Sequence, residues 1–352
     1  MSSSRMQQTV ALGTEFWNDS CAIHELKEAI QNGAVGATSN PVIVGAAVSA
    51  DKAKWVPVLE RLLRENPGAT EDDVAWKLIE VVAREAAALL APIYQATEGR
   101  QGYLCVQVSP KLYRSAERMI EHGVSLAALA PNIAIKCPST QEGIQAMEEL
   151  TARGINVNAT VSFTVPQVLA TAEALERGIE RAIRSGVPKE RLHPYVTIMI
   201  GRLDDHLKRV AERDSILIDP GYLNWAGISV FKKAYRLFLQ RQFRSTLLAA
   251  AYRHHLHWTE LVGKGAIQSI PYGWWKQFIG SDLPLSGTLS EPVSAEIVDT
   301  LSQRFPDFQR AYAEDGMRPE EFSGYGASAH TLRQFLGGYQ QLVEWVRDRM
   351  LP

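Results

Sequence analysis

The chain has 352 residues, of which 46% are hydrophobic and 22% charged, a composition typical of an ordinary globular protein. Its formal net charge of −2 offers no broad basic surface, so we do not expect nucleic acid as a partner. No segment approaches the roughly 20 apolar residues of a membrane span, and the N-terminus lacks the apolar core of a signal peptide, so no membrane association is expected.

Short apolar runs alternate with helical patterns along most of the chain. The predicted strands are, in order, GTEFWNDSC, GAVGATSNPVIV, GYLCVQVSP, NIAIKCPST, INVNATVSF, YVTIMIGRL, TLLAAAYRHH and GAIQSIP. Amphipathic patterns such as QEGIQAMEELTARG separate them, and the ST before that segment can cap a helix. About eight strand–helix units predict an α/β fold, a closed (β/α)8 TIM barrel. A doubly wound open sheet is the alternative, but we find no GxGxxG fingerprint or Walker loop to support it.

Two regions depart from this alternation. Residues 51–100 are mostly helical, with a break at NPGA, and we interpret them as a helical insertion beside the barrel. The tail from about 290 to 350 is also helical and has a polar face. The sequence therefore predicts a single barrel domain over residues 1–352, with an insertion at about 51–100.

Polar side chains stand at the predicted carboxyl ends of the strands, where the catalytic residues of such barrels lie. Burial of a polar side chain costs free energy unless that side chain has a hydrogen-bonding or ionic partner. These side chains therefore predict one polar cluster, in which they are partners of one another, around Lys136. The cluster comprises Asp19, Asn40, Gln107, Lys136, Asn158, Thr160, Thr197, Arg202, Tyr252 and Arg253.

Lys136 lies inside the apolar run NIAIKCPST. Its ammonium group could reach water along the side chain, form a structural salt bridge, or perform chemistry. Apolar flanks on both sides favour chemistry, because a desolvated lysine loses its proton more easily and the neutral amine is a nucleophile. An ordinary lysine with a pKa of about 10.4 is neutral only about once in 2,500 at pH 7. A lysine with a lowered pKa can form a Schiff base with a ketone.

Three segments resemble the transaldolase family, the Schiff-base aldolases of the pentose phosphate pathway. GATSNPVIV is similar to the family's TTNPS/T segment, and IMIGRLDDHL is similar to its FVGR or FVSRVD segment. IKCPSTQEGIQAMEELTARGINVNATVSF resembles IKIPAT..GI.A...L...GINVN.TL.FS almost position by position. The similarity is strong over about 13–45 and 102–206, and it weakens through 51–100 and over the last hundred residues.

The resemblance implies a (β/α)8 barrel that transfers a dihydroxyacetone unit from a ketose phosphate to an aldose phosphate. It implies Lys136 as the Schiff-base residue and Asp19 as the general acid/base. Thr160 would share a catalytic water with Gln107. The remaining residues would bind substrate: Asn40, Asn158 and Thr197 at the dihydroxyacetone unit, and Arg202 and Arg253 at the phosphate. The expected partner is a sugar phosphate or another anionic sugar, and no cofactor or metal is expected.

The chain departs from the family pattern at two positions. Most transaldolases have a glutamate at the position of Gln107, whereas the fructose 6-phosphate aldolase branch also has glutamine. An amide can orient a water but cannot take its proton. Met199 stands where a phenylalanine is usual. These changes keep open a dihydroxyacetone-releasing aldolase, or a transaldolase for a non-standard ketose such as a sulfonated or antibiotic-pathway sugar, while a non-catalytic sugar-phosphate sensor is disfavoured by the retained Lys136 and Asp19.

Several further features have simpler interpretations. His255 and His257 would share a face of a strand, but no acidic or cysteine partner is near in sequence, so a strand-end or loop cluster is favoured over a metal site. Asp204 and Asp205 are interpreted as favourable charge at a helix N-terminus. The three cysteines lack CxxC spacing, which favours a reducing cytoplasm. The tryptophans of YGWWKQF are assigned to packing or to a contact between subunits of a homo-oligomer.

Overall fold

The computed structural model describes residues 3–351 and shows a closed barrel of eight parallel strands. The strands follow one another around the barrel in chain order, and the first pairs with the last. The predicted (β/α)8 fold is therefore confirmed. The strands are β1 Glu15–Asn18, β2 Ala34–Thr38, β3 Tyr103–Gln107, β4 Ile133–Pro138, β5 Val157–Thr160, β6 Tyr195–Met199, β7 Thr246–Ala250 and β8 Ala266–Ile270.

Helices surround the barrel and extend beyond it at the C-terminal end of the chain. Short 3-10 helices also occur at Pro110–Leu112, Lys189–Arg191 and Pro319–Gly324. The α helices are α1 Arg5–Ala11, α2 Ile23–Gln31, α3 Pro41–Ala50, α4 Lys52–Glu65, α5 Glu71–Ala96, α6 Ala116–Ala127, α7 Gln141–Ala152, α8 Val165–Arg184, α9 Ile200–Arg213, α10 Pro220–Leu223, α11 Ala226–Arg241, α12 Leu256–Thr259, α13 Tyr272–Ile279, α14 Ala295–Arg304, α15 Pro306–Tyr312 and α16 Gly326–Met350.

Two predicted strands are shorter than their apolar runs, because a helix begins inside each run. After β2, the side chain of Asn40 accepts a hydrogen bond from the Ile43 amide, and Pro41 occupies the first position of α3. The apolar letters PVIV are therefore helical. After β6, α9 begins at Ile200, so Arg202 lies in the first turn of a helix and not on a strand. The predicted cap of α7 is confirmed, since the Thr140 side chain accepts from the Gly143 amide.

The barrel interior is filled by side chains that point inward from alternate strand positions. Trp17, Tyr103, Cys105 and Tyr195 are among the buried residues of this inner cluster. Gly36 on β2 makes room for Trp17, because a Cβ at that position would lie 2.4 Å from the indole ring. The cluster closes the barrel below the carboxyl ends of the strands, so the site lies above a packed floor.

The strand register places three predicted site residues at one level of the barrel. Lys136 on β4 pairs with Gln107 on one side and with Asn158 on the other. Two residues nearer the carboxyl ends of the strands, Thr160 on β5 pairs with Pro138 on β4. Side chains two residues apart on a strand share a face. The side chains of Lys136, Asn158 and Thr160 therefore point into the barrel from the same part of its wall.

The region predicted as a helical insertion contains all of α4 and α5, which together with α3 fill the connection between β2 and β3. The helical tail includes α16, the long helix that packs against both α3 and α5. Trp275 of the tryptophan pair is buried, and its indole N–H donates to Asn18 at 3.0 Å, which is a packing role. None of the helices within residues 3–351 is both long and apolar enough to cross a membrane.

Candidate active site

A cavity of about 160 Å³ opens at the carboxyl ends of the strands and gathers most of the predicted cluster. Seven of the nine predicted site residues line it, and Gln107 and Asn158 are buried beside it without lining it. The seven are Asp19, Asn40, Lys136, Thr160, Thr197, Arg202 and Arg253. They come from β4, β5, β6, α9 and the segments after β1, β2 and β7, so closure of the barrel brings together residues that are far apart in the sequence.

Lys136 is held at the cavity with little contact with solvent. Its side chain is 5% exposed, and its Nζ donates to the carbonyl oxygen of Ser39 at 3.2 Å. Burial lowers the pKa of Lys136, because the ammonium form loses its hydration, while the charge of Asp19 acts in the opposite direction. A neutral carbonyl as the hydrogen-bond partner, in place of a carboxylate, leaves the neutral amine accessible.

Asp19 follows β1 and is oriented by hydroxyl groups from two other strands. The Thr38 Oγ1 donates to its carboxylate at 2.5 Å, and Thr38 in turn contacts the Ser269 hydroxyl at 2.8 Å. Burial raises the pKa of Asp19, and the nearby Lys136 and the hydrogen bond from Thr38 oppose that rise. A carboxyl with a raised pKa is suited to exchanging a proton with a substrate hydroxyl.

The amides beside the cavity are fixed by neighbouring polar groups. Thr197 Oγ1 donates to Asn158 Oδ1 at 2.7 Å, and Asn158 Nδ2 donates to the Cys105 sulfur at 3.3 Å. Asn40 caps α3 through its Oδ1, which leaves its NH2 group to face a ligand in the cavity. These amides thus add oriented polar groups at and beside the cavity without adding further charge.

The two positions that depart from the family pattern both lie close to Lys136. Gln107 is 5% exposed, and its Oε1 is a buried acceptor without a partner among residues 3–351. Met199 lines the cavity at the end of β6, with its sulfur 3.8 Å from Thr160 Oγ1. A flexible thioether therefore occupies a wall position, and the residue paired with Lys136 on β3 carries an amide oxygen without a partner among residues 3–351.

Arg202, in the first turn of α9, lines the same cavity as Lys136, and we call its surroundings the arginine end of the cavity. Its Nη1 donates to Thr331 Oγ1 at 3.4 Å and to the side chain of Gln334, and its guanidinium lies 5.5 Å from the centre of the Phe335 ring. Its buried Nε has no partner among the described residues. Burial and the repulsion of Arg253 lower the pKa of Arg202 to about 10, so it remains a cation at neutral pH.

Arg253, after β7, is tied at both its side chain and its backbone. Its Nε donates to Asp205 Oδ2 at 2.9 Å, and its Nη1 donates to the carbonyl oxygen of Tyr252 at 2.9 Å. Its amide N–H donates to His257 Nδ1 at 3.1 Å. Asp205 therefore acts as a partner of the second arginine, which the sequence interpretation as helix-terminal charge did not include.

Asp204 and two histidines form a buried cluster beneath Arg253. Asp204 accepts from His257 Nε2 at 2.8 Å, from His254 Nε2 at 3.1 Å and from the Gly227 amide at 2.8 Å. Burial acts to raise the pKa of Asp204, but the electrostatic attraction of the His257 ring and these hydrogen bonds lower it to about 2. The expected pair of His255 and His257 on one strand face is wrong, because α12 begins at Leu256 and the helical turn brings His254 and His257 together.

The spacing of this cluster suits a metal ion, but its hydrogen bonds do not. The three ligand atoms of Asp204, His254 and His257 lie within 4.8 Å of one another. The Arg253 amide requires His257 Nδ1 to be an acceptor, so the proton of the neutral ring is on Nε2, which points at Asp204. A metal ligand needs a lone pair on that nitrogen. The arrangement instead fits a brace that joins α9 to the segment carrying Arg253.

Comparison with known proteins decides what this barrel is. A model of the Transaldolase/Fructose-6-phosphate aldolase family matches residues 16–320. The chain belongs to this family. Its transaldolase relatives include Transaldolase 1 of Streptomyces avermitilis, which is 28% identical over 261 residues, or 68% of each chain. The transaldolase of Acidothermus cellulolyticus is 29% identical over 84% of this chain and 75% of its own. That of Neisseria meningitidis serogroup C is 27% identical over 88% and 95%.

Membership supports an enzyme of the aldolase and transferase class, in a family whose known role is the pentose phosphate pathway. The position of the cavity agrees with the rule that barrel enzymes place their sites at the carboxyl ends of the strands. The family match ends at residue 320, so α16 lies outside the matched segment.

Sequence reasoning missed several residues of this transaldolase-family site. Thr38 and Ser269 carry ordinary β-strand side chains, and only their shared inward face distinguishes them. Thr331, Gln334 and Phe335 follow a helical pattern in the tail and show no local sign of a site. The alternation along β2 and β8 could have identified the first pair, since Ser269 lies two residues after Ile267, which also points inward.

Proposed function

We propose that the chain transfers a dihydroxyacetone unit from a ketose phosphate to an aldose phosphate through a Schiff base on Lys136. One observation carries the proposal: Lys136 is a buried amine with a lowered pKa, hydrogen-bonded to a carbonyl oxygen, in a cavity that it shares with Asp19. Such an amine is a competent nucleophile toward a ketone.

The proposed reaction uses these groups in sequence. The neutral Lys136 amine attacks the ketone carbon, and the resulting carbinolamine loses water to give a protonated iminium. Asp19 takes the proton of the C4 hydroxyl, the C3–C4 bond breaks, and its electron pair passes to the iminium, which becomes an enamine. The aldehyde leaves, the enamine attacks the carbonyl carbon of an acceptor aldehyde, and Asp19 gives its proton to the oxygen that becomes the new C4 hydroxyl. Hydrolysis of the new iminium then releases the product and restores Lys136.

The other cavity residues fit binding roles. We assign Asn40, Asn158 and Thr197 to the hydroxyl and carbonyl oxygens of the dihydroxyacetone unit, with Asn158 held in place by its hydrogen bond from Thr197. Thr160 is assigned to the water exchanged at the iminium carbon. Arg202 and Arg253 are assigned to the anionic end of the sugar, because a guanidinium can pair two oxygens of a phosphate at once.

A second candidate is a dihydroxyacetone-releasing aldolase, or a transaldolase acting on a non-standard ketose. Gln107 favours it, because its buried Oε1 lacks a partner among residues 3–351 and can accept a hydrogen bond from a water, but it cannot take that water's proton. Met199 also favours it, because a flexible side chain there changes the wall of the cavity.

Borohydride trapping tests the Schiff base directly. Hydride adds to the iminium carbon and leaves a stable secondary amine, so the modified peptide can be mapped by mass across a panel of phosphorylated and unphosphorylated ketoses. Lys232 is an internal control: it is also buried, but it donates to Glu260 at 2.8 Å and lies outside the cavity. Label on Lys136 and not on Lys232 supports the proposal. No label on Lys136 with any ketose would reject both enzyme candidates.

We further propose a cytoplasmic location. Cys21, Cys105 and Cys137 are all free thiols buried in the described structure, which agrees with a reducing compartment. Thiol quantification in protein isolated under alkylating conditions, with three alkylated cysteines expected, tests this proposal.

A further inference from the structure

The C-terminal helix contributes to a cavity whose other walls come from the barrel. Phe335 of α16 lines the cavity, and its neighbour Gln334 contacts Arg202. The family match ends at residue 320, before α16 begins at Gly326. A part of the chain outside the matched segment therefore forms part of the wall around the arginine.

The contacts around Arg202 occupy one Nη group and one face of its guanidinium. Gln334 and Thr331 both take hydrogen bonds from Nη1, and the Phe335 ring lies against the guanidinium. The Nε–H is buried and has no partner within residues 3–351. Helix α16 thus holds one edge of the guanidinium and one of its faces, while the Nε–H of this cavity-lining residue has no partner among residues 3–351.

Helix α16 is anchored along its length, so these contacts have a defined position. Tyr339 donates to Asp72 of α5 at 2.5 Å, and Arg347 forms an ion pair with Glu71 at the start of the same helix. Gly338 lies against Val42 of α3, and a Cβ there would approach the valine side chain to 2.3 Å. These contacts fix the helix over the connection between β2 and β3.

We propose that α16 is a specificity element for the anionic end of the substrate, in which Gln334 and Phe335 orient Arg202 toward a phosphate monoester. This proposal rests on the proposed function, since it assigns the substrate of the same cavity. The class of ligand follows from the donor: a largely buried guanidinium whose Nε–H has no partner among residues 3–351 favours an anion that presents more than one oxygen.

A neutral amide at Gln334 suits this role better than a carboxylate would, for an electrostatic reason. A carboxamide oxygen can hold Nη1 without cancelling the charge of Arg202, so the cation remains available to a ligand. A glutamate at the same place would form an ion pair with Arg202 and compete with an anionic substrate. The phenylalanine ring adds an attraction for the cation and excludes water from one face.

The test is a comparison of Gln334→Glu with Gln340→Glu, measured with one ketose in phosphorylated and unphosphorylated forms. Gln340 is exposed on the same helix, its amide contacts Glu344, and it lies outside the cavity, so it carries the same change in charge without touching Arg202. We expect Gln334→Glu to raise KM for the phosphorylated ketose by roughly tenfold or more and KM for the unphosphorylated form by less than about twofold. Gln340→Glu should leave both close to the parent values.

A second variant and a covalent measurement keep the outcomes separate. Phe335→Leu keeps an apolar side chain but removes the ring, and it should raise KM for the phosphorylated ketose by roughly threefold. Trapping of Lys136 in each variant reports whether the proposed function holds. Equal KM changes for both forms of the ketose, with trapping intact, would overturn the role of α16 alone. Loss of trapping in the parent protein would overturn the proposed function itself.

Discussion

The two ends of the cavity are built in different ways. At the lysine end, Lys136, Asp19 and Thr38 come from strands or their immediate ends, and their hydrogen-bond partners are other barrel residues. At the arginine end, Arg202 begins a helix and Arg253 lies in a segment after β7. The partners there come from α9, α12 and α16.

This difference suits the lysine end to the chemical steps and the arginine end to recognition of the substrate. Side chains on paired strands are fixed by the barrel register, which suits groups that must meet the reacting carbons with little freedom. Loops and added helices can change without disturbing the barrel, so they are suited to reading the part of the substrate that varies. We therefore expect changes at the lysine end to act mainly on turnover, and changes at the arginine end to act mainly on KM for anionic substrates.

The largest expected effect is at Asp19. Asp19→Asn removes the base for the C4 hydroxyl proton and should lower kcat by a factor of roughly 10²–10⁴ while the Schiff base on Lys136 still traps with borohydride. Asp205→Asn is the same change at the arginine end and should act on KM for the phosphorylated donor. Normal kcat in the Asp19 variant would remove this residue from the mechanism.

Arg202→Ala tests the arginine end in the same terms. Loss of a charged hydrogen bond of about 1.5–3 kcal/mol should raise KM for a phosphorylated donor roughly 10- to 100-fold. The unphosphorylated donor offers no charge to pair, so its KM should change much less. Equal losses for the two donors would show that Arg202 does not read phosphate, and a sulfonated donor tested beside them would show whether another anionic group is read instead.

The brace beneath Arg253 offers a comparison between two histidines. Both donate to Asp204, but only His257 also accepts from the Arg253 amide. His257→Ala should raise KM for the phosphorylated donor by roughly five- to tenfold, the cost of about one hydrogen bond, and His254→Ala should raise it less. Melting temperatures measured for both variants separate this effect from a general loss of stability. If the two variants gave the same KM, the link through Arg253 would not matter.

Gln107→Glu tests whether the amide controls the fate of the enamine. A carboxylate can take a proton from water and an amide cannot, so the two residues should divide the intermediate differently between transfer and hydrolysis. We expect the ratio of free dihydroxyacetone to converted acceptor, at fixed donor, to fall by roughly two- to tenfold in the variant. If the ratio stays the same, the amide is an adequate substitute, and specificity must be sought at Met199 or in residues 51–100.

The smallest expected effect is a shift in the pH dependence of borohydride trapping. The shift should have opposite signs in a variant of Asp19 and in a variant of Arg202. The charge of Asp19 raises the pKa of Lys136, and the charge of Arg202 lowers it. Without the carboxylate, in Asp19→Asn, the pKa of Lys136 should fall, so the acid limb of the pH–rate profile for trapping shifts to lower pH. In Arg202→Ala the pKa of Lys136 should rise, and the acid limb should shift to higher pH. Initial trapping rates from pH 5 to pH 10 measure both shifts, and shifts of the same sign would contradict this electrostatic assignment.

The barrel and most of the residues at the lysine end could be predicted from local patterns along the chain. Alternation of apolar runs and amphipathic helices is a local pattern, and a lysine inside NIAIKCPST is conspicuous because its neighbours are apolar. Since the carboxyl ends of parallel barrel strands must converge, polar residues there can be placed near one another before any contact is known. The structure brings Asp19, Asn40, Lys136, Thr160 and Thr197 to one cavity.

The arrangement of the arginine end could not be predicted in this way, because it depends on contacts between distant parts of the chain. Arg202 meets Thr331 from 129 positions away along the chain, and Asp204 meets His257 from 53 positions away. Neither α16 nor the segment that contains His254 and His257 has a local sequence pattern that indicates which residues it contacts. Such contacts depend on where whole helices pack, and the free energy of that packing is spread over many apolar residues, so no short stretch of sequence encodes it.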